Sequence, residues 1–401
     1  MSAAPRFASD LNQGVACARS GEFAPLRLGP LSVWPPVVLA PMAGITNYPF
    51  RSLCREFGAG LFVSEMITAR GFLHGNRMTR LLASSQPGES PRSVQVYGAD
   101  PVDVGEMVRA LAAEGVDHID MNFGCPVPKV TRQGGGSAVA LKPRLLARIV
   151  RAAVGAAGCV PVTIKVRKGI DEEWITFLDA GRVAEEEGVA AIGLHARTAA
   201  ELYSGRADWN AIGALKSAVG IPVLGNGDIW ECWDALRMMR ETGCDGVIVG
   251  RGCLGRPWLF RELSMVFDGR EPACPPALGE VVEVALRHAR ALSAFFGEEP
   301  AIRQMRKWMG WYTKGFRGSS NVRASVAGME SYAEMEAILG ALPKDEAFPM
   351  SALRVTRAKR GGRQRVRLPA GYLDDLEDDT PPKGPRSLEE IEAWERIHSG
   401  G

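Results

Sequence analysis

Short apolar runs alternate with longer helical stretches from Val37 to Phe267. The runs are Val37-Val38-Leu39, Leu61-Phe62-Val63, Val94-Gln95-Val96-Tyr97, His118-Ile119-Asp120-Met121-Asn122, Val162-Thr163-Ile164-Lys165-Val166, Ala191-Ile192-Gly193-Leu194-His195, Pro222-Val223-Leu224-Gly225 and Gly246-Val247-Ile248-Val249-Gly250. Brief β-branched runs of this kind read as parallel strands buried on both faces. The stretches between them carry helix signals. Asp100 is an N-cap candidate with Pro101 at the first helical position. Lys142-Pro143 opens a second helix, Trp174 to Glu187 forms a third, and Asp208 is the N-cap candidate of a fourth. Gly115, Gly158, Gly188, Gly220 and Gly243 mark the returns to the next strand.

Eight strand-then-helix units predict an α/β fold, a (β/α)8 TIM barrel. A doubly wound sheet needs a GxGxxG turn after its first strand. The first turn here reads Ala40-Pro41-Met42-Ala43-Gly44, and Pro41 removes an N–H that a phosphate would use. Residues 1–34 lack clear periodicity and read as an irregular N-terminal extension, with the barrel over 35–268. A Pro-rich linker over 269–277 leads to a small all-helical domain over 278–344. Low apolar density over 345–401 predicts a mobile charged tail, with a short helix near 389–397.

Composition narrows the function classes. The chain has 401 residues, 46% apolar and 23% charged, which suits a globular protein. Its eight cysteines form no CxxC pair or Cys/His cluster, so no metal site is expected. No leader pattern and no run of 18 apolar residues is read, so a cytoplasmic protein with no membrane partner is expected. A monomer is expected too. The net charge is only +2, but residues 287–323 hold eight basic side chains against Glu298 and Glu299. That asymmetry suits a polyanion, or a solvated helix face.

A TIM barrel carries its active site at the C-terminal ends of its strands. There the sequence places Pro41-Met42-Ala43, Ser64-Glu65-Met66, Gln95, Asn122 to Pro126, Lys165-Val166-Arg167, His195-Ala196-Arg197, Asn226-Gly227-Asp228 and Gly250-Arg251-Gly252. The last two groups suit a phosphate, through glycine backbone and the Arg251 guanidinium. Lys165 at the end of an apolar strand calls for an anionic or acceptor partner, such as a flavin N1–C2=O edge. Cys125 opens a loop rich in Gly and basic residues, including Lys129, Arg132 and Gly134-Gly135-Gly136. Spacing alone leaves acid, nucleophile and inert thiol all open for it.

These motifs, in this order, resemble the tRNA-dihydrouridine synthases, and most closely their bacterial B-type branch. The resemblance runs from about residue 37 to 342. It rests on Ala40 to Asn47, Ser64-Glu65-Met66, Asp120 to Pro126, Lys165-Val166-Arg167, His195-Ala196-Arg197-Thr198, Gly225 to Asp228, Gly250-Arg251-Gly252 and Gly255 to Phe260. It implies FMN, NADPH as electron donor, and reduction of the C5=C6 bond of uridine in tRNA. Pro41, Met42 and Ala43 would line the flavin, with Gln95, Asn122 and Lys165 at its ring and ribityl edge and His195 nearby. Asn226, Gly227, Asp228, Gly250 and Arg251 would hold its phosphate end. Hydride would reach C6 and Cys125 would protonate C5, with Lys165 and Arg167 also placed for the uracil carbonyls. Arg303, Arg306 and Lys307, one helical turn apart, would meet RNA phosphates. The competing readings are an FMN barrel acting on a free small molecule, as in dihydroorotate dehydrogenases, and an RNA-binding protein without catalysis.

Overall fold

Runs with no polar face must be covered on both sides, and every predicted run forms a strand. A computed structural model describes residues 9–84, 86–358 and 362–382. The parallel strands are β3 (Val37–Leu39), β4 (Leu61–Phe62), β5 (Ile67–Thr68), β6 (Ser93–Tyr97), β7 (His118–Phe123), β8 (Val162–Arg167), β9 (Ala191–His195), β10 (Val223–Asn226) and β11 (Gly246–Val249). They follow a shorter antiparallel hairpin, β1 (Leu26–Leu28) and β2 (Leu31–Val33). The sheet order is β4-β3-β11-β10-β9-β8-β7-β6-β5. A parallel bridge from Val63 to Ser93 brings β4 against β6 as well, so β4 and β5 are two halves of one barrel strand and the eight-stranded TIM barrel closes.

The helices around the barrel are α1 (Tyr48–Phe57), α2 (Ala69–Leu73), α3 (Arg77–Ala83), α4 (Pro101–Ala113), α5 (Pro128–Thr131), α6 (Pro143–Ala157), α7 (Phe177–Glu186), α8 (Trp209–Ala218), α9 (Cys232–Thr242) and α10 (Leu259–Phe267). The Asp100 carboxylate caps α4 by accepting from Val102 N. Two predicted helix starts differ. Trp174 belongs to a turn, its carbonyl accepting from Ile170 N, so α7 begins at Phe177. Asp208 makes no side-chain cap, because its carboxylate pairs with Lys168.

The helical part comprises α11 (Leu278–Phe296), α12 (Glu298–Tyr312), α13 (Ser319–Ala327) and α14 (Tyr332–Gly340). It is joined to the barrel through Phe50 of α1. The Phe50 ring lies 4.6 Å from Trp308, which also meets His288 edge-on at 4.5 Å.

Two expectations change here. The N-terminal stretch is not irregular throughout. Leu26, Leu28 and Val33 alternate with polar residues across Gly29-Pro30, and this hairpin packs on the barrel-interior residues Val38, Leu61, Leu224 and Ile248. Nor is the described part of the segment beyond 345 loose. Arg256 donates to the Leu353 carbonyl, Arg354 pairs with Glu231 and Asp234, and the buried Arg357 donates to Trp311 O. These arginines anchor chain to chain, which low apolar density hides. The predicted 389–397 helix lies outside the described residues.

Candidate functional site

Alternation along β7 turns His118, Asp120 and Asn122 to one side, and the contacts show that side to be the barrel interior. There they join a continuous hydrogen-bonded chain. Thr163 Oγ1 donates to Asp120 Oδ1 (2.6 Å), and Gln95 Nε2 donates to Asp120 Oδ2 (2.7 Å). Asn122 Nδ2 donates to Gln95 Oε1 (2.8 Å), and Asn122 Oδ1 accepts from the backbone N–H of Gly124 (3.1 Å) and Cys125 (2.9 Å). Below, His118 Nε2 lies 2.9 Å from Thr163 Oγ1, and its Nδ1 lies 2.7 Å from Ser93 Oγ. Because Asp120 takes the Thr163 proton, His118 must donate from Nε2 and accept at Nδ1. Burial holds its pKa down at about 3, which keeps the ring neutral as this arrangement needs. The Cys125 loop is thus positioned by polar groups deep in the barrel.

Lys165 and His195 end β8 and β9. Lys165 Nζ donates to Asn226 Oδ1 (3.0 Å). Burial, then Arg167, lowers the lysine pKa, while Asp120 opposes that. His195 is pushed well below the ordinary imidazole value by burial, then by Arg167, Lys165, Arg197 and Arg251. It is neutral at physiological pH. Arg167 donates Nε to Gly124 O and Nη1 to Thr198 O and Leu202 O, which joins the loops after β7 and β9.

Beside them, after β9, β10 and β11, Arg197 makes a two-oxygen pair with Asp228, and Arg251 lies 3.7 Å from the same carboxylate. Asp228 adopts φ +59°, steadied by Ala207 N donating to its Oδ2. Two guanidinium groups therefore share one carboxylate, and the buried Arg197 Nη1 has no partner among the described residues. Burial, then Arg197, lowers Arg251 to about 10. This surplus of desolvated positive charge calls for an anion. Gly250 adjoins it, where an added Cβ would meet Ala40 and Met42 only at ordinary contact distance. A phosphate-ended cofactor such as FMN would fit the guanidinium donors of Arg197 and Arg251.

Pro41, Met42 and Ala43 form the turn after β3, where Met42 N donates to Thr46 Oγ1. The break between β4 and β5 turns Glu65 toward the same turn, and its Oε2 accepts from Gly44 N (2.7 Å). Burial raises the Glu65 pKa, against the Gly44 N–H, Arg51 and Lys307. A cleft of about 500 Å³ opens beside Ala43, Glu65 and Met66 and reaches Arg303 and Lys307 of α12.

Cys125 is half-buried, and desolvation raises its thiol pKa despite the Val127 N–H and Arg167. Gly136 takes φ +56°, and a Cβ there would stand 2.6 Å from the Cys125 carbonyl. The glycines therefore let the loop fold back on its own start.

The predicted basic residues separate. Lys129 lies on α5 and exposed Arg132 ends it. Arg303 is exposed and pairs with Glu299. Arg306 donates to Met329 O, and Lys307 donates to Gly44 O (2.9 Å), so both tie α12 to its surroundings. Sequence reasoning gave no role to Asp120, Arg197 or Tyr203. Arg251 lies over the Tyr203 ring at 4.6 Å and Arg167 at 5.7 Å. The alternating polar residues inside β6, β7 and β8 were the available signal for Asp120. Tyr203, on a loop, carried none.

The family model described as dihydrouridine synthase (Dus) matches residues 38–347. The chain is 50% identical over 370 residues to a Mycobacterium tuberculosis (strain ATCC 25618 / H37Rv) protein named "Probable tRNA-dihydrouridine synthase", covering 90% of this chain and 95% of that one. It is 41% identical over 301 residues to the "tRNA-dihydrouridine synthase B" of Pseudomonas aeruginosa, covering 75% of this chain and 90% of the relative. Among solved structures, histamine dehydrogenase from Rhizobium sp. 4-9 superposes at a TM-score of 0.49 and 14% identity, over 81% of this chain and 65% of that one. The strand-end motifs, the closed barrel that gathers them and a family match spanning both barrel and helices lead to one assignment: the chain belongs to the dihydrouridine synthase family of enzymes.

Proposed function

We propose that this protein reduces the C5=C6 bond of uridines in tRNA, in the cytoplasm. FMN, reduced by NADPH and held along Pro41, Met42, Ala43, Gln95, Asn122, Lys165 and His195 and at Arg251, would supply hydride to C6 of the uracil. Cys125 then gives its thiol proton to C5, so the ring gains one hydride and one proton. The observation that carries this reading is the Cys125 loop, fixed by Asn122 at the barrel mouth beside Arg167. Its raised thiol pKa favours the protonated form that an acid needs. A neutral His195 supports the same assignment, because it does not compete as a cationic proton donor. Lys165 and Arg167 are placed to hold the uracil carbonyls. The base leaves its stack to reach the mouth, with Lys129, Arg132 and Arg303 nearest the RNA backbone.

The test separates the half-reactions. Cys125→Ala should retain bound flavin and NADPH oxidation while losing most dihydrouridine formation on an unmodified tRNA transcript. Full dihydrouridine formation in that variant would remove Cys125 from the mechanism. A purified protein that takes up no FMN would remove the flavin reading.

A further inference from the structure

The loop that carries Cys125 is held from outside by a stretch of chain beyond the 38–347 family match. Gln364 bridges two strand-end loops. Its backbone N–H donates to Ala200 O (2.8 Å), and its side-chain Nε2 donates to Pro126 O (2.8 Å) and Ala199 O (3.1 Å). Pro126 directly follows Cys125. Farther on, the buried Tyr372 closes over the other end of the loop, its hydroxyl donating to Ala138 O (3.2 Å). Its ring packs with Ala138, Leu141, Ile170 and Ala199. Lys142 Nζ lies 4.6 Å over that ring and pairs with Asp378 at 2.7 Å. The fit is close: a Cβ on Gly134 would stand 3.0 Å from the Tyr372 ring and 2.8 Å from Pro382.

The Cys125 loop contains Gly134-Gly135-Gly136, and glycine-rich chain is costly to order. Asn122 fixes only its first residues. An acid has to stand within hydrogen-bond reach of its target, and an ångström of misplacement costs about 100-fold in rate. Exposed pairs such as Arg144–Glu377 add little. The half-buried amide and the buried phenol contacts must do most of the holding.

We propose that residues 363–382 form a strap that positions the Cys125 loop for proton delivery, with Gln364 as the positioning residue acting through Pro126. The effect on turnover rests on Cys125 being the acid, as proposed above. The effect on the loop does not.

The experiment uses the full chain with FMN and three substitutions, Gln364→Ala, Gln364→Glu and Tyr372→Phe. Hydrogen exchange over residues 125–137 and iodoacetamide labelling of Cys125, both read by mass spectrometry, report the loop. Turnover and KM on an unmodified tRNA transcript, with NADPH oxidation, report the reaction. Each lost hydrogen bond should speed exchange and labelling about three- to tenfold. The two Gln364 variants should lower kcat by at least as much, while KM and NADPH oxidation stay within twofold. Gln364→Glu should be the more damaging, because its carboxylate would face two carbonyls. Tyr372→Phe removes a single oxygen, so it still reads the strap if a Gln364 variant loses its fold. Unchanged exchange and labelling would overturn the proposal. So would a rise in KM at constant kcat, which would make the strap an RNA contact, or a looser loop with undiminished turnover. Faster exchange in Gln364→Ala alongside full activity in Cys125→Ala would sink the acid assignment and leave the loop contact standing, so the two ideas fail separately.

Discussion

Replacing Asp120 by Asn exchanges one oxygen for an NH2 group and breaks the direction of the barrel's hydrogen-bonded chain. The Asp120 carboxylate accepts on both oxygens, from Thr163 at 2.6 Å and Gln95 at 2.7 Å. An amide has one acceptor oxygen, so one of these two donors must face another donor. Thr163 has no easy reversal, because its oxygen already meets the His118 Nε2 proton. A buried orphaned donor costs about 1–3 kcal/mol, and the surviving bond loses roughly 1 kcal/mol of charge assistance. Relief of carboxylate desolvation, visible as the raised Asp120 pKa, offsets part of this. The expected net loss is about 2–3 kcal/mol, read as a lower urea midpoint at constant m-value. Lys165 also loses the carboxylate that opposes its depressed pKa. Its charge should therefore be lost at lower pH, and FMN affinity should fall more steeply as pH rises from 6 to 8. A stability change under about 0.5 kcal/mol, together with an unaltered pH dependence of FMN binding, would refute the chain as drawn.

Three other substitutions and one titration probe separate parts of the site. Gly136→Ala combines a left-handed backbone with a Cβ 2.6 Å from the Cys125 carbonyl; it should cost at least about 2 kcal/mol and depress dihydrouridine formation more than NADPH oxidation, and wild-type behaviour in both would show the loop to be pliant. Burial disfavours the Cys125 thiolate, so labelling of Cys125 should rise, and turnover fall, only as pH passes above the ordinary thiol value of about 8.5; a labelling midpoint below neutrality would point to a nucleophile instead. Arg303→Glu should weaken tRNA binding and reduce the salt slope by roughly one at unchanged melting temperature, whereas Arg306→Glu should lower the melting temperature, because it removes the donor to Met329 O; unaltered binding with Arg303→Glu would place the RNA path elsewhere.

Much of the fold was legible because its cause is local. Ala191-Ile192-Gly193-Leu194-His195 is apolar up to its terminal histidine and appears as β9 with the same ends. The Asp100-Pro101 start holds because the cap needs only its own neighbours. The same locality explains the failures. Asp208 looks like a cap until Lys168, forty residues earlier, claims its carboxylate. The hairpin over Leu26 to Val33 is too short to show a period by itself, and it becomes a hairpin because the floor of the barrel needs covering.

By itself the sequence determined the eight-unit barrel and nominated a candidate site at its strand ends, with Cys125, Lys165, Arg167 and Arg251 as the residues to examine. Alternation and turn chemistry act over a few residues and survive in a single chain read end to end. Tertiary structure alone decided which partners these groups meet. Asp120 orients Gln95 and, through Asn122, the Cys125 backbone. Arg197 and Arg251 share one carboxylate. Arg306 and Lys307 spend their donors on carbonyls of the protein itself. The acidic stretch near Asp378 is packed against Lys142 across 236 residues of chain. Charge, desolvation and hydrogen-bond direction depend on which atoms lie within a few ångströms, and residues far apart in sequence supply most of them here.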